Sequence, residues 1–253
     1  MQIFKLSVTN IRTAVKECEL KLYYNLTEPK PPKNVYLFMG IVFHSVIAED
    51  LKFKAKNGND MELGMINGIF RDTFEKEKVG IDFAKMPEFE AKARCQNYIK
   101  AYWEKRLQHL YPYLLNGQKP LIEHFLRFTA KFEEQQISIT GKIDMLDRTG
   151  WVVDHKTSNR PENWEEEPQA YLYPLGLKNQ GFKVEGFIFS TVDSQGNVDS
   201  HEIEFKQEKA DALLQKAFEI QRAFSEDNIL PTSNQRVCTY CQHKGICREW
   251  NSI

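Results

Sequence analysis

Two periodicities of apolar residues divide the chain into a helical first half and a second half that mixes strands and helices. In the helical segments, apolar residues recur every three or four positions, as on the buried face of an amphipathic helix. In the strand segments they alternate with polar residues. The predicted helices span 7–24, 36–54, 61–83 (ambiguous), 88–110, 165–179 and 207–225, and the predicted strands span 122–132, 137–145, 151–156, 182–190 and 198–205.

The hairpin at 137–156 carries polar residues that its apolar pattern does not explain. Apolar and polar residues alternate as far as Asp144, and a turn at 148–150 leads into a second strand. Asp154 and Lys156 lie two positions apart, so both side chains leave the same face of that strand. If the two strands pair, Asp144 lies near Asp154, and two carboxylates share one lysine.

Two carboxylates beside a lysine are costly to bury unless a ligand compensates them. Mg²⁺ and Mn²⁺ prefer such oxygen ligands, and they keep waters that a phosphate can displace. Such a metal polarises a phosphoryl oxygen and lowers the pKa of a bound water, and Lys156 could position that water, take its proton or offset charge. A surface hairpin with an Asp–Lys ion pair is the alternative, and the tripeptide at 154–156 taken alone favours it.

Composition is that of a globular protein and gives no global signal for nucleic acid. Of the 253 residues, 42% are hydrophobic, and the formal net charge is −1, so any basic groove must be local. The chain has no GxxxxGK[ST] motif for an NTP-driven motor, no apolar run long enough to span a membrane and no signal-peptide core. We therefore expect one cytoplasmic domain, with a helical part at 1–115, a core at 116–230 and a cysteine-rich tail at 231–253.

A cysteine cluster near the C-terminus is the second chemical signal. Cys238, Cys241 and Cys247 have the spacing Cys-x2-Cys-x5-Cys, which in a cytosolic chain indicates a metal or a cluster. A tetrahedral centre needs four ligands, so one must come from elsewhere. His243 would complete a zinc site, whereas Cys18 would complete a four-thiolate set for an iron–sulfur cluster. In the second case the cluster fastens the N-terminal helix to the tail.

For three residues that could bind a metal, a place in the hydrophobic core is the alternative interpretation. His44 lies on the inward face of the helix at 36–54, either as a core histidine or as a metal ligand that faces the aspartates. Cys18 taken alone is a small apolar residue on a helix face. Cys95 fits the buried stripe of its helix and has no cysteine neighbour in sequence, so we expect it in the core.

Six short motifs, in order along almost the whole chain, resemble those of the RecB-like nucleases of the PD-(D/E)XK superfamily, in the branch with an iron–sulfur cluster. This branch includes the Cas-four exonucleases of CRISPR loci and the AddB nuclease domain. Each motif is weak alone, but their order is specific. The matching residues are Cys18 before Tyr23-Tyr24, Gly40 with His44, Gly141 with Asp144, Asp154-His155-Lys156, Gln169 with Tyr173, and Cys238 with Cys241 and Cys247.

The resemblance implies an α/β, restriction-endonuclease-like fold, in which helices flank a central mixed sheet. It also implies a Mg²⁺ or Mn²⁺ site, a catalytic lysine with residues that orient it or contact DNA, and a 4Fe–4S cluster. The implied metal ligands are His44, Asp144, Asp154 and the backbone carbonyl of His155; the implied catalytic group is Lys156 with Gln169 and Tyr173; the implied cluster ligands are Cys18, Cys238, Cys241 and Cys247.

The activity implied by this resemblance is that of a metal-dependent DNA exonuclease that acts on single-stranded ends. The alternative is a nucleic-acid-binding nuclease subunit, active only with a protein partner such as a helicase or CRISPR adaptation proteins, in recombination, repair or CRISPR adaptation. A third interpretation, from the cysteines alone, is a structural protein stapled by zinc. We expect no membrane association, and the sequence predicts neither the polarity of digestion nor the oligomeric state.

Overall fold

The structure is a computed structural model, and it describes residues 4–30, 32–106, 109–157, 163–232, 234–247 and 249. The first half of the chain contains β1 (Phe4–Ser7), α1 (Val8–Arg12), α2 (Glu19–Thr27), α3 (Val35–Asn57), α4 (Leu63–Glu77) and α5 (Glu88–Lys105). The second half contains β2 (Leu114–Leu115), β3 (Lys119–Pro120), β4 (Ile122–Phe132), β5 (Gln135–Leu146), β6 (Trp151–Thr157), α6 (Gln169–Asn179), β7 (Gly186–Val192), β8 (Val198–Glu204), α7 (Gln207–Ser225) and α8 (Gln235–Thr239).

The central sheet of the described residues has the strand order β1-β5-β6-β7-β8, and β4 pairs with the other edge of β5. β1 pairs in parallel with the start of β5, and β6 pairs antiparallel with its end. Since β4 occupies the opposite edge of β5 along nearly its whole length, β1 and β6 share one edge. Between Thr140, which pairs with β1, and Met145, which pairs with β6, the described residues place no strand on that edge.

Helices cover both faces of the sheet, and each face has its own hydrophobic core. On one face α1, α6 and α7 enclose a core that includes Ile139 and Phe187. On the other face α3, α4 and α5 enclose a core that includes Met145 and Val153. The predicted α/β class, with helices flanking a mixed sheet, is confirmed. In the ranges that the structure describes, no helix is long and apolar enough to cross a membrane.

The predicted single helix at 7–24 is wrong, because a strand precedes it and a break divides it. Phe4–Ser7 form β1, which pairs with residues far along the chain. α1 then passes into a π-helical segment, Thr13–Glu17. Cys18 has an extended backbone (φ −167°, ψ 131°) and precedes the first turn of α2. Cys18 therefore lies at a helix break and not on a continuous helix face.

Helix α6 departs from its predicted span of 165–179 only at its start. It begins at Gln169, after a short 3₁₀ turn at Trp164–Glu166, and it continues through Pro174 to Asn179. Proline is expected to kink a helix or to end it early, and here Pro174 does not end it. A proline inside a helix costs about 3 kcal/mol or more. Every residue of α6 from Gln169 to Leu177 is buried, so packing against β4, α7 and β7 outweighs that cost.

Other predicted elements agree more closely with the structure. α7 and β4 have the predicted spans of 207–225 and 122–132. β7 begins at Gly186, later than predicted. Residues 107–108 of the predicted helix at 88–110, together with parts of the cysteine-rich tail, lie outside the described residues.

Candidate active site

The interrupted edge of β5 is the floor of the candidate site. β5 and β6 pair only through Met145 with Val153 and Leu146 with Val152. Beyond these two pairs the ladder does not continue, and the backbone amide of His155 donates instead to Asp144 Oδ2 at 2.7 Å. A carboxylate thus replaces a strand partner at the point where the ladder stops.

His44 reaches the same carboxylate from α3. Its Nδ1 lies 3.1 Å from Asp144 Oδ2. Burial lowers the pKa of His44, but the charge and hydrogen bond of Asp144 outweigh burial and raise the pKa overall. Burial likewise opposes ionisation of Asp144, yet His44 and His155 lower its pKa to about 2. Asp144 is therefore an anion at neutral pH, and its ion pair attaches α3 to the sheet.

Asp154 and Lys156 extend from β6 into the same opening. Nζ of Lys156 lies 2.6 Å from Asp154 Oδ2. Burial raises the pKa of Asp154, Lys156 lowers it, and repulsion from Asp144 raises it again, with a net upward shift. For Lys156 burial lowers the pKa, but Asp154 raises it by more, so the side chain is a cation. The positive charge of Lys156 therefore offsets only part of the repulsion between the carboxylates of Asp144 and Asp154.

Helix α6 holds Lys156 through a chain of hydrogen bonds. Nζ of Lys156 donates to Gln169 Oε1 at 3.1 Å, and Gln169 Nε2 donates to the Tyr173 hydroxyl at 3.4 Å. The Tyr173 ring covers Gly141 so closely that a methyl group there would overlap it. Burial raises the pKa of Tyr173 to about 12, so its phenol stays neutral. The position of Tyr173 in this hydrogen-bond chain therefore requires a glycine at position 141.

The His155 ring is buried behind the site. It lies 5.4 Å from the Tyr102 ring and lines a cavity of about 20 Å³ that Asp60 and Arg106 also border. Burial lowers its pKa to about 4, so the ring is neutral at physiological pH. Among the described residues neither ring nitrogen has a hydrogen-bond partner, and a cavity of this size holds one water. The buried ring of His155 is therefore not the predicted metal ligand, since that prediction concerns the backbone carbonyl of the residue.

The two carboxylates fit a divalent cation. Asp154 Oδ2 is buried and, despite its ion pair with Lys156, accepts no well-formed hydrogen bond from the described residues. Two acidic side chains in one opening match the oxygen ligands of Mg²⁺ or Mn²⁺. His44 bonds to Asp144 instead, and nowhere in the described ranges do three or more His, Cys, Asp or Glu side chains form a metal-binding group. Asp144 and Asp154 are thus the residues that would hold the cation.

The structure brings Cys18 to the C-terminal cysteines. Burial raises the pKa of the Cys238 thiol, and the nearby Cys18, Cys241 and Cys247 raise it further, so the four thiols are neighbours. All four are free and partly buried. Cys18 Sγ accepts a hydrogen bond from the Thr232 amide at 3.3 Å. Cys238 therefore lies near three other thiols, although the cysteines of the described ranges do not form a metal-binding group as they stand.

His243 and Cys95 both lie in other surroundings than the four cysteines of the proposed set. His243 Nε2 lies 2.8 Å from Asn25 Oδ1, and its ring lies 5.6 Å from the Tyr24 ring, which places the tail against α2. The contact with Asn25 occupies one of the two ring nitrogens of His243. Cys95 is fully buried in α5, and burial raises its pKa to about 12, so the prediction of a core residue is confirmed.

Sequence analysis missed an ion pair that supports the site. Arg12 Nε donates to Glu167 Oε2 at 2.7 Å, and Arg12 Nη2 donates to Glu167 Oε1 at 3.4 Å. Glu167 is buried and lies two residues before Gln169, so the pair fixes α1 against the start of α6. The available signal was the acidic run at 165–167, but periodicity does not show which of its members is buried.

The sequence agrees with this geometry. A family model described as the PD-(D/E)XK nuclease superfamily matches residues 5–248, and the chain therefore belongs to that superfamily. Its members are nucleases that use divalent metals such as Mg²⁺ or Mn²⁺, and the mixed α/β architecture is consistent with their restriction-endonuclease-like fold. Among curated proteins, none matches the chain in sequence.

Solved structures are similar in fold at low sequence identity. A "Putative exonuclease" from Eubacterium rectale is 13% identical, with a TM-score of 0.56, over 98% of this chain and 87% of that chain. A crystal structure described as SSO0001 is 12% identical, with a TM-score of 0.49, over 98% of this chain and 88% of that chain. At this identity the first similarity concerns the fold alone.

Proposed function

We propose that the chain is a metal-dependent DNA exonuclease that hydrolyses phosphodiester bonds from single-stranded ends. The observation that carries this proposal is the pair Asp144 and Asp154 beside Lys156 at the interrupted edge of the sheet. Membership of a nuclease superfamily supports it. The choice of DNA and of single-stranded ends rests on the resemblance to the Cas-four and AddB-type nucleases.

The protein groups have separate tasks in this proposal. A cation held by Asp144 and Asp154 would polarise a phosphoryl oxygen and supply an activated water. Lys156, as an ammonium group, offsets the negative charge that develops on the phosphate in the transition state. Gln169 and Tyr173 hold its Nζ in place, so little reorganisation accompanies the reaction. His44 and the His155 carbonyl remain candidate further ligands.

We also propose that Cys18, Cys238, Cys241 and Cys247 bind a 4Fe–4S cluster. The proximity of Cys238 to Cys18, Cys241 and Cys247 supports this assignment. The choice of Cys18 over His243 as the fourth ligand rests on the resemblance and on the position of Cys18 near Cys238. The cluster would be a structural staple, because it joins the start of α2 to the tail across a long loop of chain.

Product analysis of the wild-type protein tests this activity. Linear single-stranded DNA, labelled at either end, is incubated anaerobically with Mn²⁺, Mg²⁺ or EDTA beside duplex DNA and circular single-stranded DNA. We expect short products from the linear single strand only, and only with metal; the two labels give the polarity. Cleavage of the circle would show endonuclease activity and contradict the proposal. Binding of single strands without any cleavage would favour the partner-dependent subunit.

A further inference from the structure

The sheet-facing side of α3 extends beyond the sheet. Toward the C-terminus of the helix this side is buried in the core shared with β5 and β6, and at His44 it contacts Asp144. Helical spacing continues the same side toward the N-terminus, past the metal site. The buried members are Ile47, Ala48 and Leu51, and the continuing members are Leu37, Gly40 and Ile41.

This continuation is apolar and uncovered. Tyr36 is 55% exposed and Leu37 is 54% exposed, although both belong to the first turn of a long helix whose opposite side is fully buried. Gly40 and Ile41 are partly exposed. We call Tyr36, Leu37, Gly40 and Ile41 the α3 platform. It begins one helical turn from His44 and therefore borders the opening that contains the carboxylates.

Gly40 is not required by packing against any residue that the structure describes. A glycine inside a helix lowers helix stability relative to alanine. A methyl group at Gly40 would meet no atom within 4 Å, whereas one at Gly141 would overlap Tyr173. In the described part of the chain, no atom thus occupies the space directly over Gly40. A ligand can approach the helix backbone there more closely than at any residue with a side chain.

We propose that the α3 platform holds the bases and sugars of a single nucleic-acid strand next to the scissile phosphate. This inference rests on the proposed nuclease function. The platform is continuous with the site through His44, so a strand that places its phosphate at the carboxylates passes along it. Bases stack on aromatic side chains without regard to sequence, which suits Tyr36. Lys30 and Lys33, exposed before α3, place positive charge at its far end, where Lys33 also lies 3.9 Å from Glu77.

Steady-state kinetics of Tyr36→Ala and Gly40→Ala with Mn²⁺ test this placement. The substrates are fluorescein-labelled oligothymidylate and an abasic strand with the same backbone. Loss of one base stack predicts a KM for oligothymidylate about fivefold higher or more in Tyr36→Ala, with kcat nearly unchanged. Gly40→Ala should also raise this KM, because the added methyl group keeps the strand away from the helix backbone. The abasic strand has no base to stack, so Tyr36→Ala leaves its KM unchanged.

Two variants of α4 serve as matched controls. Met65→Ala removes an exposed apolar side chain, and Gly68→Ala fills an equally open position inside a helix. Both glycine-to-alanine variants should raise the melting temperature, because alanine favours the helix. Only Gly40→Ala should also raise KM, so a change in KM is separated from a change in stability.

The possible outcomes separate this inference from the proposed function. If the wild type cuts DNA and the two platform variants keep its KM on both strands, the inference is wrong and the nuclease proposal stands. If the wild type cuts no strand with Mn²⁺ or Mg²⁺ and binds none, both fail. If Tyr36→Ala instead converts a dimer into a monomer with unchanged KM, the platform is an interface between copies and the inference is overturned.

Discussion

Lys156 depends on neighbouring side chains for its position more than on its own strand. Its stem leaves β6 at the partly exposed end, and its ammonium group contacts Asp154 and Gln169. Gln169 in turn contacts Tyr173, whose ring is fixed over Gly141. Gln169 and Tyr173 are therefore positioning residues, and their removal should change the rate without removing any group that carries the chemistry.

Gln169→Ala is the sharpest test of this positioning. Loss of the contact that orients an active-site group lowers activity about 10- to 100-fold, so we expect kcat to fall by this factor. Tyr173→Phe should have a smaller effect, because it removes only the hydroxyl of a 3.4 Å hydrogen bond. Gln207→Ala, at an exposed position on α7, is the matched control. Wild-type kcat in Gln169→Ala would contradict a positioning role.

Residue-level prediction succeeded where the information is local. Asp154 and Lys156 are two apart on a strand, and Gln169 and Tyr173 are four apart on a helix, so each pair could be assigned to one face before the fold was known. The amide of His155 as the donor to Asp144 was not predictable. It follows from where the β5–β6 ladder ends, which no local pattern records.

Among the secondary-structure elements, the turn between β5 and β6 is stabilised by Asp147. This fully buried carboxylate accepts hydrogen bonds from the Thr149 amide at 2.8 Å and from the Trp151 amide at 3.2 Å. Asp147→Ala leaves these partly buried donors without their acceptor, so we expect the free energy of unfolding to fall by about 1 kcal/mol. Urea denaturation measures it.

Asp147→Asn is the control for this prediction, because its amide oxygen can still accept those bonds. It should lose clearly less stability than Asp147→Ala. Equal losses in the two variants would show that the carboxylate charge, and not the hydrogen bonds, holds the turn.

Gly141 couples packing of α6 to the site, so Gly141→Ala should impair both. The added methyl group overlaps the Tyr173 ring and forces it or the strand to move. Overpacking of this kind costs about 1 to 3 kcal/mol, and the shift of Tyr173 should also lower kcat through Gln169. Thermal denaturation and single-turnover rates measure the two effects. A variant with unchanged stability and rate would contradict the assigned contact.

Elements with strong periodicity were predictable, and those defined by distant partners were not. α7 is amphipathic along its whole length, and its span was predicted to the residue. β1 was not predicted, although Phe4 and Leu6 alternate with polar residues as in a strand. Four residues with that pattern are ambiguous until a partner is known, and here the partner is β5, more than half the chain away.

At the scale of the whole molecule, the proposed 4Fe–4S cluster would join the start of α2 to the C-terminal tail. Cys18→Ala should abolish the brown colour and the bound iron of anaerobically purified protein and lower its melting temperature, because the cluster closes a long loop. Cys95→Ala should keep both iron and colour, since this buried thiol lies apart from the other four. Visible absorbance and iron analysis measure the result. A colourless wild type that contains zinc would contradict the iron–sulfur assignment.

The interrupted sheet edge could not be predicted, because it depends on the whole fold. It arises where β1 and β6 pair with opposite ends of β5 and leave its middle free. The three strands come from distant parts of the sequence, and only their assembly creates the opening. The class of fold and the chemistry of the site were nevertheless inferred from the sequence, since a short set of motifs specifies both.

The most direct test of the account is a comparison of single-turnover cleavage by the wild type, Lys156→Ala, Asp154→Asn and Lys183→Ala. The substrate is end-labelled single-stranded DNA with Mn²⁺, and circular dichroism verifies that each variant is folded. Lys183 is exposed and pairs with Glu185 near the start of β7, at the strand end remote from the site.

We predict that Lys156→Ala and Asp154→Asn lose cleavage by a factor of about 100 or more, because each removes charge stabilisation or a metal ligand. Lys183→Ala should cleave at the wild-type rate. Full cleavage by folded Lys156→Ala or Asp154→Asn would contradict the assignment of the opening beside β5 as the active site.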